Sequence, residues 1–221
     1  MPKIVLTVFG GRGSGLLLVD AARRSSTANE VVDIIGFLND VEPVGTLIGG
    51  IPVVGAFEQW RELDTEVRFV APLHKAGDMP NRIARIESLG LPDERWVSIV
   101  DPTVVVSSDV QWGTGCFLAP YSIVKPGVRL GRHIALRDQA SIGHDTTVED
   151  YAFIGTGASL GGYCHVERGA FIGMNASVRD NITIGAMAVV GMGAVVVKDV
   201  PAGATVVGNP AMPIKRARRR E

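Results

Sequence analysis

Leu136-Arg137-Asp138-Gln139-Ala140-Ser141-Ile142-Gly143-His144-Asp145-Thr146-Thr147-Val148-Glu149-Asp150-Tyr151-Ala152-Phe153-Ile154 decides the fold, because a large apolar residue returns at every sixth position. The rhythm extends without a miss back through Leu130, Val124, Leu118, Trp112 and Val106 to Val100. It runs forward through Leu160, Val166, Ile172, Val178, Ile184 and Val190 to Val196. A period of six fits neither the 3.6 of an amphipathic helix nor the 2 of a half-buried strand. Hexapeptide repeats of this kind are the signature of a parallel β-helix. Turn-prone clusters such as Lys125-Pro126-Gly127, Gly161-Gly162 and Arg179-Asp180-Asn181 fall between the apolar positions and suit corners. Four residues after most anchors stands a small or β-branched residue, among them Cys116, Ser122, Ala140, Thr146, Ala158, Cys164 and Ala176, which predicts a second, tighter inward position. Three hexads then make one coil of 18 residues, and the coils stack into a three-sided prism with an aliphatic interior.

The chain has 221 residues, and the repeat takes only about 100 of them, which leaves the first 95 to be explained separately. Two domains are expected, residues 1–95 and 96–221. A hydrophobic content of 46%, a charged content of 20% and a net charge of −1 describe a soluble protein with no global pull toward nucleic acid or membrane. The basic tail Lys215-Arg216-Ala217-Arg218-Arg219-Arg220 is a local exception, read as a solvated terminus. Cys116 and Cys164 are not a whole number of coils apart, so they read as small core fillers in a reducing compartment, not as a disulfide. The opening apolar run is too short for a signal peptide, and no stretch approaches the roughly 18 apolar residues of a membrane helix. The cytoplasm is the expected location.

Ile4 to Phe9 reads as a buried strand of a parallel sheet. Gly10-Gly11-Arg12-Gly13-Ser14-Gly15 and a helical pattern to Arg24 follow it, giving the strand, glycine-rich turn and helix of a small Rossmann-like α/β unit. The first helical N–H groups there offer an anion site. Val31 to Leu38 is a second strand ending in Asn39-Asp40, where such folds place an acid that binds ribose or a base. Glu66 to Pro72 is a third strand, and Pro80 to Ser88 a helix with Asp78 as its cap.

The hexads followed by Lys198-Asp199-Val200-Pro201-Ala202-Gly203 and Gly208-Asn209-Pro210-Ala211 resemble the left-handed parallel β-helix of the hexapeptide acyltransferases. The prism preceded by the small α/β unit resembles the sialic acid O-acetyltransferase and bacterial nucleotide-amino-sugar N-acetyltransferase family, NeuD/PglD-like. That resemblance implies a homotrimer with acetyl-coenzyme A in the groove between neighbouring prisms and no metal. It implies a nucleotide-linked amino sugar on Gly10, Gly11, Gly13, Ser14, Gly15, Asn39, Asp40, Asn81 and Arg82. It makes His144 the general base and Asp145 the carboxylate that orients it, and directs Phe153, Gly162, Met174 and Gly191 to the coenzyme. The chain departs from the family at Ser14 and Phe153, where a histidine is common, and at Leu73-His74-Lys75-Ala76-Gly77-Asp78. A histidine suits the base because its unperturbed pKa lies near neutrality, and a glycine N–H nearby is expected to meet the thioester oxyanion. His133, His144 and His165 fall at different phases of the hexad and cannot share one metal ion. The leading expectation is N-acetylation of a 4-amino-4,6-dideoxyhexose nucleotide. O-acetylation of a sialic acid and a non-catalytic nucleotide-sensing trimer are the alternatives.

Overall fold

The computed structural model describes residues 3–26 and 31–214; the basic tail lies outside the described residues. The N-terminal sheet contains β1 (Lys3–Phe9), β2 (Val31–Leu38), β3 (Leu47–Ile48), β4 (Ile51–Gly55) and β5 (Val67–Val70), in the order β3-β4-β2-β1-β5. β1, β2, β4 and β5 are parallel, and β3 is an antiparallel edge strand. The sequence predicts β1, β2 and β5 as short apolar runs because central parallel strands are buried on both faces. β3 and β4 form a hairpin through Gly49-Gly50, both of positive φ. Helix α1 (Ser14–Ser25) follows the glycine loop and α2 (Met79–Ser88) follows β5. Asp78 stands at the N-cap of α2, but its carboxylate accepts from the Asn81 and Arg82 side chains instead of the backbone.

From Ile99 onward the chain is a parallel β-helix. Strands pair with those 18 residues away, as in Phe117↔Ala135↔Phe153↔Phe171, Ile123↔Ser141↔Ser159↔Ser177 and Arg129↔Thr147↔His165↔Thr183. These three ladders form the first, second and third faces of the prism. Anchors and small residues fill it together: Leu118, Leu136, Ile142, Ile154, Ile172 and Val190 touch Cys116, Ala140, Ala158, Ala176 and Ala194 in one buried cluster. Burying each aliphatic side chain contributes about 1.5–3 kcal/mol. Trp112 departs from the rhythm, being 40% exposed. It belongs to the first coil, which has no coil beneath it to close the core.

The third residue of successive corners, from Gly115 through Asp145 and Tyr163 to Gly193, takes positive φ. Its N–H reaches back to the coil before, as in Asp145 to Pro126 O at 3.0 Å and Tyr163 to His144 O at 2.9 Å. The first face is covered by the N-terminal unit. Phe117 and Ala119 join Leu6, Val8 and Leu18 in one cluster, while Tyr151, Phe171 and Met187 pack against Met79, Ile83 and Ile86 of α2. Ion pairs Arg24–Asp101 at 2.7 Å and Arg168–Glu87 at 2.7 Å cross the same seam.

Candidate active site

His144 and Asp145 sit at the corner between the second and third faces, immediately after strand Ser141–Ile142. The hexad phase puts Ile142 inward, so the next residues turn out to solvent. Asp145 occupies the positive-φ corner position with φ 54°, which short polar side chains tolerate. Its Oδ2 lies 2.8 Å from His144 Nδ1. An ionised carboxylate only accepts, so Nδ1 is the donor of this contact and Nε2 is the ring nitrogen turned away from Asp145.

Two glycines shape the notch around this pair. A Cβ on Gly162, one coil above, would stand 2.8 Å from His144 Nε2, and a Cβ on Gly127, one coil below, would stand 2.5 Å from Asp145 Oδ1. The imidazole and carboxylate hold their positions because both residues lack side chains. Tyr163 closes the flank, with its ring edge-on to the imidazole at 5.0 Å between centroids. Glycine N–H groups near the dyad are already engaged: Gly143 donates to Leu160 O, Gly161 to Val178 O, and Gly162 to Asp180 Oδ1 at 2.8 Å. The expected oxyanion donor is therefore not one of these three in this state.

The expected coenzyme residues do not gather around His144 within one chain. Gly162 lies beside the imidazole, one coil above. Met174, 47% exposed, and Gly191 lie at the corner between the first and second faces, across the width of the second face from His144. Phe153 points from the first face and stacks on Phe171 at 4.2 Å, with the His74 ring 5.8 Å away.

The glycine loop borders a cleft of about 200 Å³ whose walls include Gly10, Gly11, Ser14, Gly15 and Arg82, with Arg12, His74 and Lys75 adding a basic rim. Gly13 is the N-cap of α1 and offers no side-chain hydrogen bond, which leaves the first N–H groups of α1 without a side-chain cap. Asn39 and Asp40 do not line this cleft. The Asn39 amide donates to Gly10 O at 2.9 Å and its oxygen accepts from Val41 and Glu42 N–H groups, so it braces the loop. Asp40 accepts from Phe57 N–H and from Arg85, both at 2.8 Å. Asn81 is tied to Asp78. Sequence reading missed Arg12, His74 and Lys75 as lining residues. The signal for them was a cluster of basic side chains after β1 and β5, at the carboxyl ends of parallel strands where α/β sheets bind ligands.

His133 is buried, stacked on Tyr151 and edge-on to Trp96, and burial lowers its pKa to about 4. His165 pairs with Glu149 at 2.8 Å. A wider cleft of about 410 Å³ lies on the third face around Arg129, Glu149, Asp150 and Arg168. It is open, and its carboxylates are engaged, Glu149 by His165 and the Arg168 N–H and Asp150 by Arg132. Among the described residues no cluster of three His, Cys, Asp or Glu side chains is arranged to hold a metal. No helix among them is long and apolar enough to cross a membrane.

No family model and no curated protein matches the chain. Solved structures do. The acetyltransferase domain of PglB from Neisseria gonorrhoeae, in complex with acetyl coenzyme A, is 28% identical with a TM-score of 0.83, covering 96% of this chain and 100% of that one. WeeI from Acinetobacter baumannii is 26% identical with a TM-score of 0.81, covering 96% and 100%. PerB from Caulobacter crescentus, in complex with CoA and GDP-perosamine, is 25% identical with a TM-score of 0.79, covering 95% and 97%. The similarity spans both the α/β unit and the β-helix, whose left hand the family resemblance implied.

Proposed function

From the premise that this chain is a hexapeptide-repeat, acetyl-CoA-dependent acyltransferase of the NeuD/PglD-like kind, we propose that it N-acetylates a nucleotide-linked amino sugar. The sugar is of the 4-amino-4,6-dideoxyhexose type, and the enzyme works as a cytoplasmic homotrimer. The observation that carries this reading is the 2.8 Å contact between His144 Nδ1 and Asp145 Oδ2, with Nε2 turned toward the space that side-chain-free Gly162 leaves open. The sugar amine attacks the thioester carbonyl carbon while Nε2 takes its proton. The tetrahedral intermediate then collapses, the C–S bond breaks, and the proton leaves with the coenzyme sulfur. General base catalysis of this type contributes about 10²–10⁴-fold, and positioning of both substrates supplies much of the remainder.

The separation of Met174 and Gly191 from His144 supports the trimer. A coenzyme groove drawing on both corners forms when one copy contributes His144 and Gly162 and its neighbour contributes the other edge. The cleft below the glycine loop is the seat proposed for the nucleotide. Thiol release from acetyl-CoA tests the proposal, first with amino-sugar nucleotides and then with free sialic acid. Turnover with the former alone is expected, and turnover only with sialic acid would replace the N-acetyl reading by the O-acetyl one.

A further inference from the structure

Arg137 is 7% exposed, yet its guanidinium donates no hydrogen bond among the described residues, and its nearest carboxylate, that of Asp138, is 3.9 Å away. A guanidinium taken out of water without a partner is costly, and natural structures retain such a group when something absent from the free chain satisfies it. We propose that Arg137 binds an anionic oxygen group of the substrate, the diphosphate of a nucleotide-linked sugar seated at the glycine-loop cleft. This rests on the functional reading above.

Place in the fold supports it. Arg137 follows strand Ala135–Leu136 of the first face, at the first corner position, where Gly113, Gly131, Gly143, Gly155 and Gly173 elsewhere carry no side chain. Its guanidinium lies over the Phe117 ring at 5.5 Å, and Phe117 packs against the N-terminal sheet, so the charge sits in the seam between prism and α/β unit. His74, a wall of the cleft, reaches the same strand, with its Nε2 2.9 Å from His133 O and its ring 5.8 Å from that of Phe153, which pairs with Ala135 two residues before Arg137.

His74 is the second unsatisfied group. Its Nε2 lies 2.9 Å from His133 O, and a carbonyl only accepts, so Nε2 carries the proton and Nδ1 is a bare acceptor. That Nδ1 is buried with no donor among the described residues. The seam thus presents a largely buried cation with no hydrogen-bond acceptor and an unpaired acceptor on the same face of the prism. A nucleotide-linked sugar carries both complements, phosphate oxygens for Arg137 and a hydroxyl or N–H for His74. The planar guanidinium fork suits phosphate bidentately.

The test is calorimetric titration of the full-length wild type and of Arg137→Lys, Arg137→Gln and Arg137→Met with uridine diphosphate, guanosine diphosphate, free sialic acid and acetyl-CoA. The proposal predicts roughly 10–100-fold weaker diphosphate binding in the Gln and Met variants, the range of a lost charged hydrogen bond. A smaller loss is expected in the Lys variant, with acetyl-CoA affinity unchanged. Ligand-free Arg137→Met should melt no lower than wild type, because an unpaired buried charge has been removed. A loss confined to sialic acid would assign the anion to a sugar carboxylate and still support Arg137 as its receptor. Undiminished binding in both neutral variants, together with a lower melting temperature, would overturn the assignment and make Arg137 a structural cation. Failure of the wild type to bind any of the three anions would remove the substrate reading along with it.

Discussion

The prism and the N-terminal unit hold their polar side chains in place by different means. In the prism every corner repeats the same backbone path, so the direction of a side chain follows from its position in the hexad, and His144 and Asp145 are presented to solvent with nothing else to do. In the N-terminal unit each polar residue answers to a particular neighbour. Asn39 braces the loop at Gly10, Asp40 ties down Phe57 and Arg85, and Asp78 holds Asn81 and Arg82. The repeat leaves the His144–Asp145 pair free, while carboxylates such as Asp150 and Asp180 cap N–H groups of the coil before; in the N-terminal unit the polar residues named above all serve as struts.

The largest expected effect tests the free half of that contrast. His144→Ala should lower kcat about 10²–10⁴-fold while the melting temperature and oligomeric state stay as in wild type, because the ring is exposed and holds no other element. Steady-state kinetics beside thermal melting checks both halves of the statement. Next comes Ile154→Ala, in the middle of the prism core, which should cost about 2–5 kcal/mol in denaturant unfolding and leave the KM for acetyl-CoA of the folded fraction unchanged. Gly162→Ala should push the imidazole aside and reduce kcat by roughly tenfold or more, since misplacement of about 1 Å costs on the order of 10²-fold. Gly193→Ala, where a Cβ meets open space but φ is positive, should cost about 1–2 kcal/mol of stability without that kinetic loss.

The strut half is tested by Asp40→Ala. It should destabilise the N-terminal unit by about 1–3 kcal/mol, because it leaves the Phe57 N–H and the Arg85 guanidinium short of a partner, with kcat at saturating substrate close to wild type. A collapse of kcat would restore Asp40 to a direct part in binding or chemistry.

A pH dependence at the seam probes the buried histidines. Burial lowers the pKa values of His74 and His133 from 6.5 to about 4. The unfolded chain therefore binds protons between those values that the folded chain refuses. Stability is full above pH 6.5 and is lost as pH falls toward 4, by on the order of 1–3 kcal/mol for each histidine. His133→Phe should flatten this limb in melting curves taken across that window, while a slope identical to wild type would mean that His133 is protonated as readily folded as unfolded.

These residues also show what could be read ahead of the structure. The prism was legible because a period of six admits few backbone solutions, and the same phase located the small inward residues, whereas His144 and Asp145 were singled out by the family resemblance. Trp112 escaped the rule because the rhythm says nothing about where stacking begins. The N-terminal strands were legible as apolar runs, but the partners of Asp40 were not. Arg85 reaches it across 45 residues of chain, a contact that only the folded sheet creates. The roles of Arg12, His74 and Lys75 at the cleft were hidden for the same reason, and so was the isolation of Arg137, which depends on the α/β unit covering the first face.

The account rests on one atom, His144 Nε2, facing the acceptor amine at a seam between two copies of the chain. A crystal structure of the wild-type protein with coenzyme A and an amino-sugar nucleotide measures that distance directly. The predicted result is the sugar nitrogen within about 2.6–3.2 Å of Nε2, with the coenzyme bordered by Gly162 of one copy and Met174 of the next. A sugar nitrogen bound far from His144, or an imidazole facing open solvent with no neighbouring copy beside it, would contradict the account.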